Sequence, residues 1–384
     1  MKPGHYDYII AGAGCAGRSL VIRLLQEPAL ADKKILLVDN AHKVSNDRTW
    51  CFWEKEPGLF EDIVSNRWST LLFSTEEGDR LLNIHPYQYK LIRSIDFYHY
   101  TGKIIAENKI DVMHGCVESV YNGDGCGTVI IDGVKVTAEY VFSSIPYALT
   151  TLSSRYTYFL QHFKGWVIET DHAFFDAGKA TLMDFYPENN ELTAFFYTLP
   201  YSDKKALVEY TIFSESILSH EQYEHALSDY IENRLGCQSY RITEVEDGCI
   251  PMYDQPFRPA DNRIIYVGIA GGNAKASSGY TFRYIQQHSA TIVKLLVSGK
   301  YPAAHNYPRR FRFYDSIFLR LLSGSRLPGK DIFSRLFNKN RPEQILKFLD
   351  NETSISEEIR IFSTLQKRIF ASEAFKTVIS RLSV

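Results

Sequence analysis

The first forty residues contain the feature that most restricts the fold, a glycine loop between an apolar run and a helical stretch. The loop, residues 12–17, has the spacing G-x-G-x-x-G and follows the apolar residues 8–11. A helical pattern covers residues 18–26, a second strand pattern covers residues 34–38, and Asp39 follows it. The acid lies 22 positions after the last glycine, where the dinucleotide-binding fingerprint has one. The sequence therefore predicts a Rossmann-like βαβ unit at the start of the chain.

Each residue type in the loop has a physical reason. Gly12 allows the tight turn, Gly14 lets the backbone approach a pyrophosphate, and Gly17 lets the helix pack close to the strand. Cys15 and Ala16 lie in the loop just before the helix, whose N-terminus presents free N–H groups and a positive dipole end to the phosphates. These five residues are our predicted phosphate-binding site.

Two further contacts are predicted for the cofactor. Asp39 is placed to hydrogen-bond an adenosine ribose. Late in the chain, the apolar run 264–267 leads into a second glycine segment containing Gly268, Gly271 and Gly272. A cofactor as long as FAD needs two such regions, whereas NAD needs mainly one, so the second segment favours FAD.

Composition excludes several classes of protein. The formal net charge of −2 argues against a nucleic-acid partner. The six cysteines form no C-x-x-C pair and no metal-ligand cluster, so we expect reduced thiols in a cytosolic protein without a metal. No apolar run reaches the length of about 18 residues that crosses a membrane. Aromatic residues make up 14% of the chain, which suits either ordinary packing or a long apolar ligand cavity.

The order of patterns predicts a nucleotide-binding domain interrupted by a second domain. Residues 160–215 change to an antiparallel strand pattern, and a helical pattern over 220–235 follows. Parallel strands that open and close a domain around an antiparallel insert define a discontinuous α/β architecture. We predict an FAD-binding domain over 1–150 and 245–300, a substrate-binding antiparallel sheet over 151–244, and a helical C-terminal region over 301–384.

The C-terminal region is basic. Residues 301–384 contain 15 Lys or Arg and 8 Asp or Glu. Between about 305 and 340, apolar residues alternate with basic ones, among them Arg309, Arg310, Arg312 and Arg326. Segments of this kind can lie on an anionic membrane surface. The alternative is a helical cap whose apolar face packs on the main body of the protein.

Seven short motifs occur in order along most of the chain. They are residues 7–8 (DY), 47–54 (DRTWCFWE), 161–166 (QHFKGW), 182–185 (LMDF), 208–214 (VEYTIFS), 250–252 (IPM) and 271–282 (GGNAKASSGYTF). Each motif alone is weak evidence, but the ordered set resembles one family, the bacterial lycopene β-cyclases. One departure from related flavoproteins matters, because Ile269 follows Gly268 where those proteins usually have an aspartate.

The resemblance implies the fold of flavin-dependent hydroxylases and geranylgeranyl reductases. It also implies a non-redox isomerase that converts the linear ends of lycopene to β-ionone rings, giving β-carotene through γ-carotene. The implied cofactor is FAD in its reduced form, with NAD(P)H as the electron source. The implied location is cytoplasmic, peripherally associated with the lipid of the inner membrane. The alternative is an FAD-dependent hydroxylase or dehydrogenase acting on another apolar isoprenoid.

The reaction implied by the resemblance needs one positioned acid in dry, π-rich surroundings. Glu209 stands inside the apolar strand pattern 206–213, where burial would raise its pKa and keep the carboxyl protonated. Strict alternation places Leu207, Thr211 and Phe213 on the same face. The family has an acidic strand motif of the type F-x-E-E-T, and residues 208–211 (VEYT) match it with only one acid, Glu209. Glu209 is therefore our predicted proton donor, the alternative being an outward-facing glutamate on a half-exposed strand.

Other residues are weaker candidates. Glu54, an acid among aromatic residues, could accept the final proton, and Asp184 could line the site. Arg48 and Trp50 are placed near the flavin or the substrate entrance. Lys275 could face the flavin and stabilise its reduced anionic form, although a solvated lysine is the ordinary alternative. His162 and Trp166 are expected to be core residues more than chemical groups.

Overall fold

The computed structural model describes residues 4–108, 110–146, 155–187, 192–303, 308–323 and 327–382. The strands in the described ranges are β1 His5–Ala11, β2 Ile35–Asp39, β3 Thr49–Glu54, β4 Asn66–Trp68, β5 Thr70–Thr75, β6 Gly78–Asn83, β7 Gln88–Arg93, β8 Asp111–His114, β9 Val117–Gly123, β10 Cys126–Ile131, β11 Val134–Ser143, β12 Tyr158–Glu169, β13 Lys179–Asp184, β14 Thr193–Pro200, β15 Lys205–Ser214, β16 Arg241–Tyr253, β17 Ala260–Asp261 and β18 Ile264–Tyr266. The α-helices are α1 Cys15–Leu25, α2 Ser94–Glu107, α3 His220–Asp229, α4 Phe282–Val297, α5 Arg309–Ser323, α6 Gly329–Lys339, α7 Pro342–Leu349, α8 Ile355–Ser363 and α9 Lys367–Leu382.

The predicted nucleotide-binding unit is present. Strand β1 pairs in parallel with β2 on one side and with β11 on the other, and β18 extends the sheet beyond β11. Tyr8, Ile9, Ile10 and Ala11 are all buried, as expected for a central parallel strand covered on both faces. Helices α1, α2 and α4 are associated with this sheet, and α1 contacts both of the others.

A second sheet follows the order β16-β12-β15-β14-β13-β5-β6 in the described residues. Its pairs are antiparallel except for β13 with β5, which are parallel. The sheet extends beyond the segment 151–244 that we predicted for it. Strands β5 and β6 come from before this segment, and β16 crosses the expected boundary at 244 because it pairs with β12 along nearly its whole length. The division into domains itself remains a prediction.

The C-terminal region is helical, and it packs on the second sheet. Apolar side chains of α5, α6 and α7, including Leu321, Phe333 and Leu346, form one core with sheet residues such as Phe73 and Phe195. In the described part of the chain, no helix is long and apolar enough to span a bilayer.

The segment predicted to contact a membrane is largely buried. Phe311, Ile317, Ile332, Phe333 and Phe337 lie inside the protein. The structure therefore corresponds to the alternative of a packed helical cap for this segment. Of the basic residues named above, Arg326 lies outside the described residues.

Candidate active site and cofactor cleft

The glycine loop has the close approaches that its spacing predicts. Gly12 has φ of +101°, and a Cβ there would lie 2.1 Å from Ser144 Oγ. A Cβ at Gly17 would lie 1.9 Å from the carbonyl oxygen of Gly12. A Cβ at Gly14, in contrast, would have no atom within 4 Å. The loop is thus closely packed at Gly12 and Gly17, whereas the space next to Gly14 is open.

The open side is suited to an anion. Gly14 is the N-cap of α1 and provides no side chain to cap the helix, so the first N–H groups remain available for a ligand. Asp39 Oδ2 accepts a hydrogen bond from the N–H of Ala13 at 2.6 Å, and Oδ1 accepts one from Ala41 at 2.8 Å. Lys43 lies 3.4 Å from the same carboxylate. Asp39, at the end of β2, therefore stabilises the glycine loop through its hydrogen bond with Ala13.

A cavity of about 630 Å³ extends from this loop to the second sheet. Five predicted cofactor residues line it: Gly14, Cys15, Ala16, Arg48 and Gly268. Gly12, Gly17 and Asp39 shape the loop behind the cavity and are absent from its lining. The cavity's size, its glycine-lined wall and the uncapped helix end fit an FAD molecule lying along the cleft.

The second glycine segment meets the first through one residue. Gly268 has φ of +63°, and a Cβ there would lie 2.9 Å from the Cβ of Ala16. Gly271 and Gly272 line a separate pocket of about 70 Å³ and do not reach the main cleft. The close crossing at Gly268 confirms that the two segments lie together, whereas the prediction for Gly271 and Gly272 is not supported.

Lys275 does not face the cleft, contrary to our prediction. Its side chain is only 1% exposed, and its Nζ lies 3.0 Å from Asp315 Oδ1 on α5. It also donates to Asn351 Oδ1 at 2.8 Å. Because a buried ammonium needs charge and hydrogen-bond partners, Lys275 is satisfied by the C-terminal helices and joins them to the glycine segment.

Glu209 lies on the cavity face of β15. Leu207 and Glu209 line the main cavity, and Phe213 lines a second cavity that lies between this sheet and the C-terminal helices, as alternation along the strand predicts. Thr211, on the same face, donates a hydrogen bond to Glu209 Oε1 at 2.8 Å. The predicted orientation of this strand is therefore confirmed.

A second acid, Glu246 of β16, pairs with Glu209. Both residues are aligned with Gly165 on the strand between them, β12. Their backbones are two strand spacings apart, roughly 10 Å, and the missing side chain at Gly165 leaves room for them to meet. A Cβ at Gly165 would lie 3.2 Å from Glu246 Cγ and 3.5 Å from Glu209 Cβ. The two carboxyls interact across this gap, and each affects the pKa of the other.

The pair holds a proton preferentially on Glu209. Burial, followed by the charge of Glu246, raises the pKa of Glu209 well above its ordinary value. Burial also raises the pKa of Glu246, but a hydrogen bond from Thr49 Oγ1 at 2.7 Å and the charge of Arg48 oppose this. Like-charged carboxyls this close do not both ionise readily. A protonated Glu209 beside an anionic Glu246 is the arrangement that these contacts favour.

Tyrosines separate this acid pair from a second, apolar cavity of about 370 Å³. Tyr197 lies directly opposite Glu209 in the sheet, and both Tyr197 and Tyr280 line the two cavities. The hydroxyl of Tyr280 lies 3.2 Å from that of Tyr89. Burial raises the pKa of Tyr197 well above its usual value, so its ring stays neutral. The second cavity lies between the sheet and the C-terminal helices.

The other two acids predicted for catalysis lie elsewhere. Glu54 forms an ion pair with the buried Lys90 at 3.0 Å and lines neither of the two cavities. Asp184 is buried and accepts hydrogen bonds from Arg234 at 3.0 Å and Tyr230 at 3.1 Å. Both carboxylates are engaged in structural ion pairs and hydrogen bonds, so the structure does not support a catalytic role for either.

The remaining candidates are either cleft residues or core residues. Arg48 and Trp50 line the cleft, and Arg48 Nη1 donates to the carbonyl oxygens of Asp47 and Asp247 at 2.7 and 3.0 Å. His162 is buried, its Nε2 lying 2.7 Å from Ser214 Oγ. Trp166 is part of a core cluster. The two core assignments agree with our expectation.

Glu246, Tyr197 and Tyr280 were not identified from the sequence. One signal pointed to the acid pair, because Gly165 interrupts a strand, and a strand glycine often marks a close approach of other groups. Nothing in the sequence indicates which side chains would fill that gap.

Several solved structures share this fold, some of them flavoproteins. A geranylgeranyl bacteriochlorophyll reductase-like protein from Thermoplasma acidophilum has a TM-score of 0.64 and 12% identity, covering 97% of this chain and 99% of its own. A flavoprotein/dehydrogenase from Cytophaga hutchinsonii has a TM-score of 0.65 and 12% identity, covering 96% and 100%. CtdE, solved in complex with FAD and a substrate, has a TM-score of 0.59 and 13% identity, covering 99% and 100%. At these identities the likeness shows the fold alone.

The fold is thus the α/β architecture of these flavoproteins, with a large second sheet and a helical cap, which confirms the predicted fold class. Residues 7–374 match the family described as lycopene cyclase protein. The chain belongs to this family. No curated protein sequence gives a significant match to the chain.

Proposed function

We propose that this protein is a lycopene β-cyclase, which closes the linear ends of lycopene to β-ionone rings without net redox change. One observation carries the proposal: Glu209, a carboxyl whose pKa is raised by burial, lines the cofactor cleft beside Tyr197 and Tyr280, which line both the cleft and the apolar cavity. An alkene is a very weak base, so its protonation needs an acid of this kind in a dry setting.

The proposed reaction begins at Glu209. The carboxyl gives its proton to C1=C2 at one end of lycopene, which leaves a tertiary cation at C1. The C5=C6 bond attacks this cation and closes the ring, and loss of the C6 proton leaves the β-ionone double bond. The acceptor is a carboxylate of the Glu209–Glu246 pair, so one proton enters the substrate and one leaves it.

The surroundings favour a cation. Tyr197 and Tyr280 present neutral aromatic rings at the junction of the cavities, and such rings attract positive charge. The anionic partner, Glu246, adds negative charge close by. The apolar cavity receives the polyene chain of the substrate and keeps water away from the reacting end.

The residues in the cleft would hold FAD. The N–H groups near Gly14, Cys15 and Ala16 would bind its pyrophosphate, with Arg48 and Gly268 farther along the cleft. Reduced FAD, formed with electrons from NAD(P)H, would supply negative charge in the cleft rather than a hydride. We place the enzyme in the cytoplasm, peripherally associated with the inner membrane.

Product mass and reductant consumption test this function together. Expression in lycopene-producing bacteria should give γ-carotene and β-carotene, which have the mass of lycopene, as measured by chromatography with mass spectrometry. Purified enzyme should need NAD(P)H to reduce its flavin but should not oxidise it in proportion to product. One NAD(P)H oxidised per product, or a product that differs by oxygen or hydrogen, would instead identify a hydroxylase or dehydrogenase.

The acid pair predicts a shift in pH dependence. Glu209 acts in its protonated form, so activity should fall as pH rises through its raised pKa. Glu246→Gln removes the neighbouring charge that helps to raise this pKa, and the alkaline limb of the rate profile should therefore move to lower pH. Thr211→Val removes a hydrogen bond that lowers the same pKa and should move the limb to higher pH. Rate profiles in which both variants match wild type would contradict the pairing.

A further inference from the structure

The C-terminal half of helix α9 has its polar and apolar faces reversed, although Ile369 and Phe370 in its first half pack against the core. Glu373 and Thr377 are buried toward the protein, whereas Phe375, Val378 and Ile379 are 67%, 42% and 47% exposed. A helix on a protein surface in water normally buries its apolar residues and exposes its polar ones. The outer face of α9 is therefore suited to an apolar environment.

Directional contacts fix this orientation. Arg320 of α5 donates a hydrogen bond to Ser380 Oγ at 2.7 Å. Arg381 donates to Ser316 and forms an ion pair with Asp254 at 3.4 Å. Turning α9 to bury its apolar face would break these contacts, so the outward face is part of the folded structure.

The neighbouring helix α8 adds to the same apolar surface. Ile355 and Ile359, one turn apart, are each 65% exposed, and Phe362, one turn farther on, lines the apolar cavity. On α9, Phe370 and Ala371 line that cavity, and Ala371 is exposed. The cavity therefore reaches the surface beside the exposed apolar residues of both helices.

The charge around this opening is positive. Arg360, Lys367 and Arg368 are exposed, and Lys367 also lines the cavity. Of the three acids in the described residues of these helices, Glu358 and Glu373 are buried, and Glu357 is neutralised by an ion pair with Lys347 at 2.7 Å. Apolar side chains flanked by exposed cations are typical of helices that lie in the interface of an anionic bilayer.

We infer that α8 and α9 form a membrane-docking surface, defined by Ile355, Ile359, Phe375, Val378 and the cations Lys367 and Arg368, which holds the mouth of the apolar cavity against an anionic lipid bilayer. A lipid-dissolved polyene could then enter the cavity without crossing water. The inference rests on the proposed function for the identity of the substrate, but the docking can be measured without any substrate.

Vesicle binding tests the docking surface. Full-length protein is sedimented with vesicles of phosphatidylcholine alone or with one-quarter phosphatidylglycerol. Phe375→Gln/Val378→Gln should lower binding to both kinds of vesicle by tenfold or more. Lys367→Gln/Arg368→Gln should reduce binding to the anionic vesicles by about thirtyfold, since each cation near such a surface contributes roughly fivefold in affinity. The control is Val112→Gln/Val134→Gln, which changes two exposed valines on the nucleotide-binding sheet and should bind like wild type.

Activity measurements separate the docking from the function. The Phe375→Gln/Val378→Gln variant should convert lycopene supplied in detergent at the wild-type rate but lycopene in vesicles at least tenfold more slowly. If this variant bound vesicles as tightly as the wild-type protein does, the proposal would be overturned. It would also be overturned if light scattering showed a wild-type dimer that these substitutions dissociate, because the surface would then join two copies of the protein. If wild type binds vesicles as expected but makes no cyclic product, the proposed function fails and the docking surface stands.

Discussion

Replacing Glu209 by glutamine is expected to lower the rate of lycopene cyclisation by about 10²–10⁴-fold, the usual range for loss of a positioned acid. Glutamine keeps the shape of the side chain and can still bond to Thr211 and Glu246, but it has no transferable proton at neutral pH. The variant should fold and bind FAD. Because the alkene is so weakly basic, we expect a loss near the upper end of this range, measured as γ-carotene and β-carotene formed per minute.

Two further variants sharpen this experiment. Glu209→Asp should lose on the order of 10²-fold, because the shorter side chain moves the proton by about 1 Å. Glu169→Gln is a matched control, since Glu169 is the last residue of β12, lines neither cavity and forms an ion pair with Arg241 at 2.9 Å. Cyclisation by Glu209→Gln at a rate near that of wild type would mean that the proton comes from another group, and Glu246 would be the next residue to test.

Replacing Gly14 by valine is expected to abolish FAD retention and leave the fold intact. A Cβ at this position meets no atom within 4 Å, so the valine is accommodated by the protein itself. Its side chain instead occupies the space in front of the α1 N-terminus, where the pyrophosphate has to approach. Flavin absorbance per protein should fall to background, while circular dichroism stays that of wild type.

The choice of glycine decides how this result is interpreted. At Gly17 a Cβ would lie 1.9 Å from a backbone oxygen, so substitution there would disturb the fold as well as the cofactor. Gly178→Val provides a control, because a Cβ at this loop position has its nearest neighbour, Asp176 Oδ1, at 3.4 Å. A normal content of FAD in purified Gly14→Val protein would refute the phosphate-binding assignment.

Several features were predictable because neighbouring residues in the chain determine them. The glycine spacing predicted the tight loop at Gly12 and the close helix contact at Gly17. Alternation along β15 predicted the cavity-facing side of Glu209. The motifs along the chain predicted the lycopene cyclase family, which the match over residues 7–374 confirms. The glycine spacing, the strand alternation and each motif are local in the sequence and need no knowledge of distant partners.

Other features depended on which distant segments meet. The pairing of Glu209 with Glu246 requires that two acids on strands that are not neighbours share one register with Gly165. A shift of either strand by one residue would turn its acid to the opposite face. Lys275 was misplaced for the same kind of reason, because its partner Asp315 comes from a helix 40 positions later in the chain.

The sequence by itself thus determined the class of fold, the phosphate-binding loop, the candidate acid and the family. Only the tertiary structure decided that Glu54 and Asp184 are held in ion pairs, that the phenylalanines of the basic segment from Phe311 onward pack inward, and that the C-terminal half of α9 exposes apolar side chains. The physical reason is that a charged or apolar side chain takes the role that its spatial neighbours allow. Those neighbours are fixed by strand order, register and helix packing rather than by local sequence.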